Sequence, residues 1–459
     1  MQLAYMEFPM NPHFSFDAPE RTRPKGLYAQ VDFIEPLGEG LALVGLDGVE
    51  AEWFAEFSER CGLNNNAASA DACEEFFQEA PLFHLQLTIF FDEANRRFRP
   101  KARRWMFLEL SDEGQLLGQL YPNLFSPPQT VAFDALRLPL MHRRSQQLNN
   151  LMFFPSKALM SRARPKPKPT ARHIEELAVL DVGQGSANAL LCREGVARIY
   201  FDVGCGVYRN APTRPPNISF CQCADPIVVL SHWDADHWAG ATIDTGLLTR
   251  TWIAPIPETI KHIVFLMNIW AAGGRTLLLS TSATVRLGSG IKLVRCKGPA
   301  GDRNESGLAL IAERRGKRWL LPGDASYHNI PGALKHPITG LVATHHGARV
   351  HGAGAPVPLP ALDYARLAYS FGPGNAHGKY GVSHPRPAGV HAYDAAGWTH
   401  TGWAVPAPGN ANVGPPGHAR ATAHHPTTHL DGIRIGWTVP AGALPHLAAC
   451  PKAMALTQT

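Results

Sequence analysis

The sequence predicts an α/β (α+β) protein of two domains, and three observations predict it. The chain has 459 residues, which is enough for two or three domains of ~150 residues each. Hydrophobic residues make up 45% and charged residues 18%, a globular balance that excludes a disordered chain. Gly (42) and Pro (39) are frequent and punctuate short apolar runs, as expected for strands joined by many turns.

A Pro-rich basic segment divides the chain. Residues 162–174 read RARPKPKPTARHI, and the alternating prolines favour an extended geometry and exclude a helix. We therefore place an N-terminal domain at 1–161, a linker at 162–174 and a second domain at 175–459. Residues 1–174 carry 19 Lys and Arg against 21 Asp and Glu, whereas residues 175–459 carry 24 against 17. The basic excess thus lies in the second domain.

The N-terminal domain has the pattern of a small α+β unit without recognisable chemistry. We expect strands at 27–34 and 41–44, helices at 49–61 and 70–79, and a hairpin formed by 85–91 and 105–110. Residues 96–105 hold six cations with Phe98 and Trp105 between them, a composition that suits phosphate contact and base stacking. An exposed hairpin tip explains the same composition. A protein partner of this domain is a further alternative.

Nothing in the sequence indicates a membrane protein or an exported one. The longest apolar stretches, such as 263–272, are far shorter than the ~18 residues that a spanning helix needs. The first ten residues lack the basic and apolar regions of a signal peptide. Eight cysteines in so long a chain fit reduced thiols better than a disulfide framework. We expect a cytoplasmic protein with no membrane partner.

The strongest chemical signal is the segment PIVVLSHWDADHWAG at residues 226–240. An apolar run typical of a buried strand leads directly into His232, Asp234, Asp236 and His237. A loop that leaves the end of a strand can turn these side chains toward one point, where they would offer imidazole and carboxylate ligands to two adjacent cations. Two Asp and two His so close to a buried strand would otherwise need costly partners or full exposure.

Four further apolar runs end in polar residues. They are followed by Asp181 with Gln184, by Asp202, by Asp324, and by the pair His345 and His346. Each of these is weak alone, because a strand followed by Gly-Asp is often only a turn. Their common position after a strand predicts that they gather at one edge of stacked sheets.

Taken in order, DVGQG, SHWDADHWAG, LLPGDA and THHGA resemble the motifs of the metallo-β-lactamase fold. The sequence is similar, more narrowly, to the soluble hydrolase domain of the competence DNA-uptake protein ComEC and its stand-alone relatives. The resemblance covers about residues 176 to 440, and residues 1–170 take no part in it. It implies an αββα sandwich with a two-metal site at one edge of its sheets.

The resemblance also implies a set of metal ligands. His232 and Asp234 would bind one divalent ion, Asp236 and His237 the second, and Asp324 both. His345 would complete the second site, with His346 as the alternative ligand. Asp234 stands where the fold more often has a second His, and Asn304 occupies the segment where a further His is usual. This oxygen-rich set leaves Zn²⁺ and Mn²⁺ both open as cofactors.

Two departures from the ComEC-like pattern concern residues around the site. Ser186 follows DVGQG where the pattern has an Asp, so a carboxylate is lost there. The Gly-His-Pro motif appears as Ser383-His384-Pro385. His384 is a candidate phosphate contact or proton donor, and Asn375, Lys379 and Ser383 are candidate substrate contacts. An ordinary Gly-rich turn with solvated side chains is the alternative explanation.

The predicted ligand set and the basic second domain point to hydrolysis of a phosphodiester. Two cations ~3.5–4 Å apart would activate water and hold a phosphoryl oxygen, which suits phosphodiester hydrolysis. Asp236 would orient the attacking group, and Asn304, His346 or His384 would supply hydrogen bonds to the transition state. The basic second domain favours a polyanion, and we expect DNA as the nucleic-acid substrate. The alternatives are hydrolysis of a small molecule, such as a cyclic nucleotide, lactone or thioester, and a regulatory or binding module.

Overall fold

The chain forms two compact units in the computed structural model. The structure describes residues 9–19, 21–38, 40–63, 68–98, 104–114, 116–133, 142–161, 174–280, 284–299, 301–348, 355–374, 384–401, 417–424, 428–438 and 456–458. The first unit consists of Met1–Arg164 together with Pro257–Gly273, and the second of Pro165–Ile256 and Gly274–Thr459. The Pro-rich segment predicts a single boundary, which places residues 257–273 in the second domain. In the structure these residues belong to the first unit.

The first unit is a closed β-barrel with helices. Its strands are β1 (Gly26–Gly38), β2 (Leu41–Glu50), β3 (Leu82–Phe90), β4 (Met106–Ser111), β5 (Leu116–Tyr121) and β6 (Gln129–Phe133). Its helices are α1 (Ala51–Arg60), α2 (Ala70–Glu79), α3 (Phe91–Phe98), α4 (His142–Ser161) and α5 (Ile260–Ala271). The strand order is β1-β2-β3-β5-β6-β4, and β4 pairs with β1 to close the barrel. Alternate residues of the strands point inward and form an apolar core.

The expected hairpin between residues 85–91 and 105–110 is wrong. β3 pairs with β2 and β5, whereas β4 pairs with β1 and β6. Helix α3 separates β3 from β4, and its apolar residues Ala94 and Phe98 are buried against the barrel core. Residues 99–103 of the basic run lie outside the described residues.

A buried cluster of charged side chains joins α5 to the strands of the first unit. Nζ of Lys261 lies 2.9 Å from Oδ2 of Asp32 on β1 and 2.9 Å from Oδ1 of Asp47 on β2. His84 on β3 places Nδ1 2.8 Å from Oδ1 of Asp47. Burial raises the pKa of Asp47, but Lys261 and His84 outweigh it and hold that pKa below its usual value. The ammonium group therefore lies between two buried carboxylates inside the unit.

The second unit contains two large sheets. Its strands are β7 (Ile174–Val179), β8 (Ala187–Cys192), β9 (Ala197–Val203), β10 (Ile227–Val229), β11 (Thr251–Pro255), β12 (Arg275–Leu279), β13 (Thr284–Gly288), β14 (Ile291–Arg295), β15 (Leu308–Arg314), β16 (Lys317–Leu321), β17 (Gly340–Val342), β18 (Arg366–Tyr369), β19 (Ala419–Ala421), β20 (Ala423–His424), β21 (Thr428–His429), β22 (Gly432–Gly436) and β23 (Leu456–Gln458). One sheet has the order β12-β11-β10-β9-β8-β7-β22-β23 and the other the order β13 to β19. The short strands β20 and β21 pair with each other.

The two sheets pack face to face through a common apolar core. This core draws buried side chains from both sheets, including Val229 and Ile253 from the first and Leu310 and Leu321 from the second. Helix α6 (Pro387–Ala395) covers the outer face of the second sheet with Val390 and Tyr393. The structure is thus the α/β sandwich that the sequence predicts. Among the described residues, no helix combines the length and the apolar character needed to cross a membrane.

The direction of the strands positions the polar residues that follow them. β9 and β10 run parallel, and so do β16 and β17. Because parallel strands end at the same edge of a sheet, the loops after these four strands are brought together. These loops carry the segment 231–237, Asp324, and the pair His345 and His346, and Asp202 lies at the end of β9 beside them.

Candidate metal centre

Asp202 holds two neighbouring residues of the site, Ser231 and His237, in position. It is the second-to-last residue of β9, is completely buried, and has a left-handed backbone with φ of 62°. Its Oδ1 accepts the backbone N–H of Ser231 at 2.7 Å, and its Oδ2 accepts the Ser231 hydroxyl at 2.9 Å. Nδ1 of His237 lies 2.8 Å from the same Oδ2. A carboxylate can only accept, so Nδ1 of His237 carries a proton and Nε2 is the ring nitrogen that faces the site.

A first group of ligand atoms consists of His232, His237 and Asp324. Nε2 of His237 lies 3.2 Å from Oδ1 of Asp324, and Nε2 of His232 lies 3.6 Å from Oδ2 of the same carboxylate. The Ser231 hydroxyl lies 2.9 Å from Nδ1 of His232 and fixes that ring as well. Two imidazole nitrogens and a carboxylate that all lie within 4.8 Å of one another suit a divalent cation.

A second group consists of Asp236, His237 and His346. Nε2 of His346 lies 3.2 Å from Oδ2 of Asp236, and Nε2 of His237 lies 4.0 Å from Oδ1 of Asp236. His346 donates its Nδ1–H to the carbonyl oxygen of Ser370 at 2.9 Å, which again turns Nε2 toward the site. His237 is common to both groups.

The two adjacent histidines after β17 contact different residues of the site. Both have left-handed backbones, with φ of 46° at His345 and 54° at His346, so the loop turns sharply there. His346 is buried and joins the second group. His345 places Nε2 3.6 Å from Oδ2 of Asp324. His346, named from the sequence as the alternative, is therefore the residue that meets Asp236 and His237, while His345 faces Asp324.

The electrostatics of the site fit a cation. Nε2 of His232, His237 and His346 is buried without a hydrogen-bond partner among the described residues, although each faces a carboxylate oxygen at 3.2–3.6 Å. Burial alone would raise the pKa of Asp324, but the surrounding imidazoles hold it well below its usual value. Burial opposes a charge on His237, yet the neighbouring carboxylates raise its pKa well above the usual value. Imidazole nitrogens that converge with carboxylate oxygens are the donor set of a metal site.

Asp234 has a partner that the sequence does not indicate. Its Oδ2 lies 3.3 Å from Nε2 of His232, while its Oδ1 forms an ion pair with Nε of Arg303. Arg303 is buried, with only 7% of its side chain exposed. Asn304, the residue predicted to donate to the transition state, lies half-buried in the same turn next to Arg303. No motif pointed to Arg303, because the turn that carries it comes from between β14 and β15.

The backbone of Asp236 lies so close to residue 204 that only glycine fits there. A Cβ at Gly204 would lie 1.6 Å from the carbonyl oxygen of Asp236, which no side chain tolerates. The N–H of Ser186 donates to that same oxygen at 3.0 Å. The loops after β7 and β9 thus directly contact the backbone of the segment 231–237.

Asp181 and Gln184 lie in the loop after β7 and contact residues outside the two groups of ligand atoms. Oδ1 of Asp181 accepts the N–H of Gly183 at 3.2 Å, and its Oδ2 lies 2.8 Å from Nδ1 of His429. That carboxylate raises the pKa of His429. The backbone N–H of Gln184 donates to the hydroxyl of Thr213 at 2.9 Å.

The remaining predicted residues follow β18. His384 is buried, and its ring centroid lies 5.3 Å from that of His345 and 6.3 Å from that of His346. It is therefore beside the histidines of the site. Asn375, Lys379 and Ser383 lie outside the described residues.

A third group of ligand atoms lies in the first unit. Asp32, Asp47 and His262 come within 4.8 Å of one another. The ammonium of Lys261, 2.9 Å from each carboxylate, already balances charge there, and so we assign no metal to this group.

Comparison with known proteins gives structural likeness only. No family model matches the chain, and no curated protein does. The structure is similar to a metallo-β-lactamase fold protein, YhfI from Bacillus subtilis, with 13% identity, a TM-score of 0.26, and coverage of 37% of this chain and 70% of that one. It is also similar to Zn²⁺-bound PqqB from Methylobacterium extorquens, with 14% identity, a TM-score of 0.25, and coverage of 36% and 71%.

A third similar structure is an isothiocyanate hydrolase from Delia radicum gut bacteria. It has 13% identity, a TM-score of 0.26, and coverage of 42% of this chain and 84% of that one. Likeness at this level does not carry the chemistry of one protein over to another.

Proposed function

We propose that this chain is a metal-dependent hydrolase that cleaves phosphodiester bonds in DNA. The observation that carries the proposal is the convergence of His232, His237 and His346 with Asp236 and Asp324 at the ends of parallel strands. Nitrogen and carboxylate donors of this kind suit Zn²⁺ and Mn²⁺. A divalent cation held there supplies Lewis acidity toward a phosphoryl oxygen and toward water.

The residues of the chain have separate tasks in this proposal. Asp202 and Ser231 fix the rings of His237 and His232, so the ligand set is organised before substrate arrives. The side chain of Asp236 is 27% exposed, which lets its carboxylate orient an attacking water by a hydrogen bond. His384 lies beside His345 and is the candidate to give a proton to the leaving oxygen.

Charge supports a polyanionic substrate. Residues 175–459 carry 24 Lys and Arg against 17 Asp and Glu, and several of those acids are the predicted metal ligands. Bound cations neutralise such ligands, so the surface that meets a substrate is more basic than the counts suggest. Polyanion binding releases counterions, and its affinity therefore falls steeply with salt.

The test is cleavage of end-labelled single-stranded DNA by metal-stripped protein that is given back Mn²⁺ or Zn²⁺. We expect cleavage by the wild type and none by His237→Ala. His328→Ala removes an exposed histidine and is the matched control, with cleavage retained. If neither ion restores cleavage in protein that binds metal, the nuclease proposal is refuted. Assays on cyclic nucleotides, lactones and thioesters then follow, with weak salt dependence as the mark of a small substrate.

A further inference from the structure

The two groups of ligand atoms compete for one nitrogen. His237 belongs to both groups, and its Nδ1 is held by Asp202 at 2.8 Å. Only Nε2 remains as a metal ligand, and its single lone pair binds one ion at a time. The two groups therefore cannot both be completed by His237.

Without His237, the two groups are left with different partners. The second group keeps Asp236 and His346, whose facing atoms lie 3.2 Å apart. The first group keeps His232 and Asp324, and the resemblance would add Asp234 to them. Asp234, however, is ion-paired with the buried guanidinium of Arg303.

The guanidinium works against a cation at the first position in two ways. It occupies Oδ1 of Asp234, one of the two oxygens that this carboxylate could offer to a metal. It also places a fixed positive charge beside the group, in a part of the site where solvent screening is weak because Arg303 is 7% exposed. Within the described part of the chain no comparable cation contacts Asp236, whose ion-pair partners there are His237 and His346.

We propose that Arg303 takes the place of a second resident cation. The chain binds one divalent ion tightly, at Asp236, His237 and His346, and the guanidinium supplies the positive charge on the side of His232 and Asp234. This inference rests on the proposed function, because it assumes a metal site. It departs from the two equal ions that the resemblance implies.

The test counts ions and does not depend on activity. Metal-stripped full-length protein is titrated with Zn²⁺ in a calorimeter, and the metal that stays bound after desalting is measured by elemental analysis. We expect the wild type to keep one ion per chain. Arg303→Met removes the charge at similar length, frees Asp234, and should tighten a second binding step by about tenfold or more. Arg303→Lys keeps a charge and should behave as the wild type does.

Two further variants keep the result interpretable. Arg250→Met breaks a surface pair with Asp225 at 2.6 Å and should leave the ion count unchanged. Asp234→Asn removes the charged partner of Arg303 and should leave the tight ion in place. The ion count of this variant tests the inference even if Arg303→Met does not fold. Loss of the tight ion in Asp234→Asn would overturn the inference.

The outcomes also separate this inference from the proposed function. Two ions of equal affinity in the wild type would refute the role of Arg303 and leave metal-dependent hydrolysis standing. A single tight ion in protein that never cleaves DNA would support the inference and refute the nuclease. A wild type that binds no Zn²⁺ and no Mn²⁺ would refute both.

Discussion

Replacing Lys261 by Met tests whether the buried charge cluster holds the first unit together. Lys261 is 3% exposed, and its ammonium contacts Asp32 and Asp47 at 2.9 Å each. Methionine has nearly the same length and no charge, so the substitution leaves two buried carboxylates without their cation. Removing one partner of a buried ion pair costs about 3–5 kcal/mol.

The surface offers a matched control. Nζ of Lys25 lies 3.2 Å from Oε1 of Glu52, but these side chains are 83% and 59% exposed. An exposed pair contributes about 0–1 kcal/mol, so Lys25→Met should leave stability nearly unchanged. The same chemical change is thus made once in a buried pair and once in a solvated one.

The assay is hydrogen exchange of the backbone amides in β2, which follows opening of the first unit within the full chain. A loss of about 3–5 kcal/mol corresponds to exchange faster by roughly two to four powers of ten. Adding Asp32→Asn and Asp47→Asn to Lys261→Met should recover part of that protection, because the uncompensated charges are then gone. Exchange in Lys261→Met within tenfold of the wild type would refute the reasoning.

Three further predictions concern the metal centre. Asp202→Asn should weaken Zn²⁺ binding about 10–100-fold, because His237 loses the carboxylate that holds its ring. The affinity is measured by competition with a chelator. Asp225→Asn changes an exposed carboxylate and should leave the affinity unchanged. Gly204→Ala should abolish tight binding, because its Cβ would meet the carbonyl oxygen of Asp236 at 1.6 Å; unchanged affinity would contradict this close approach of the two loops. The neighbouring carboxylates raise the pKa of His237, so without metal this ring keeps its second proton to a higher pH than a free imidazole does. Metal uptake should then release about one proton, seen as a buffer-dependent heat of binding that vanishes as the pH rises through that pKa.

The sequence was informative about the second unit because its signals are local. The apolar run before His232 predicted a strand, and four other runs ended in polar residues at the same sheet edge. Their convergence follows from parallel strand direction, which the alternation of short runs and turns made foreseeable. The choice between His345 and His346 was not foreseeable, since it depends on two left-handed backbone conformations in succession.

Contacts between distant segments were beyond sequence reasoning. Arg303 approaches Asp234 from a turn on another sheet, and no spacing rule connects the two. The pairing of Lys261 with Asp32 joins a helix to a strand more than 200 residues earlier in the chain. The wrong hairpin in the first unit has a related cause, because adjacent runs of alternating residues do not specify which strand pairs with which.

Helix α5 makes the first unit discontinuous along the chain, and this affects the order of folding during synthesis. The six barrel strands are complete by residue 133, yet the helix that carries Lys261 follows β7 to β11 of the second unit. Domains usually fold in order as they leave the ribosome. Here the amino-terminal unit receives its last element only after Pro165–Ile256 of the second unit has been made. A nascent chain halted at residue 256 would hold a barrel whose buried carboxylates lack their cation, and cutting the gene at the Pro-rich linker would leave that barrel permanently unfinished.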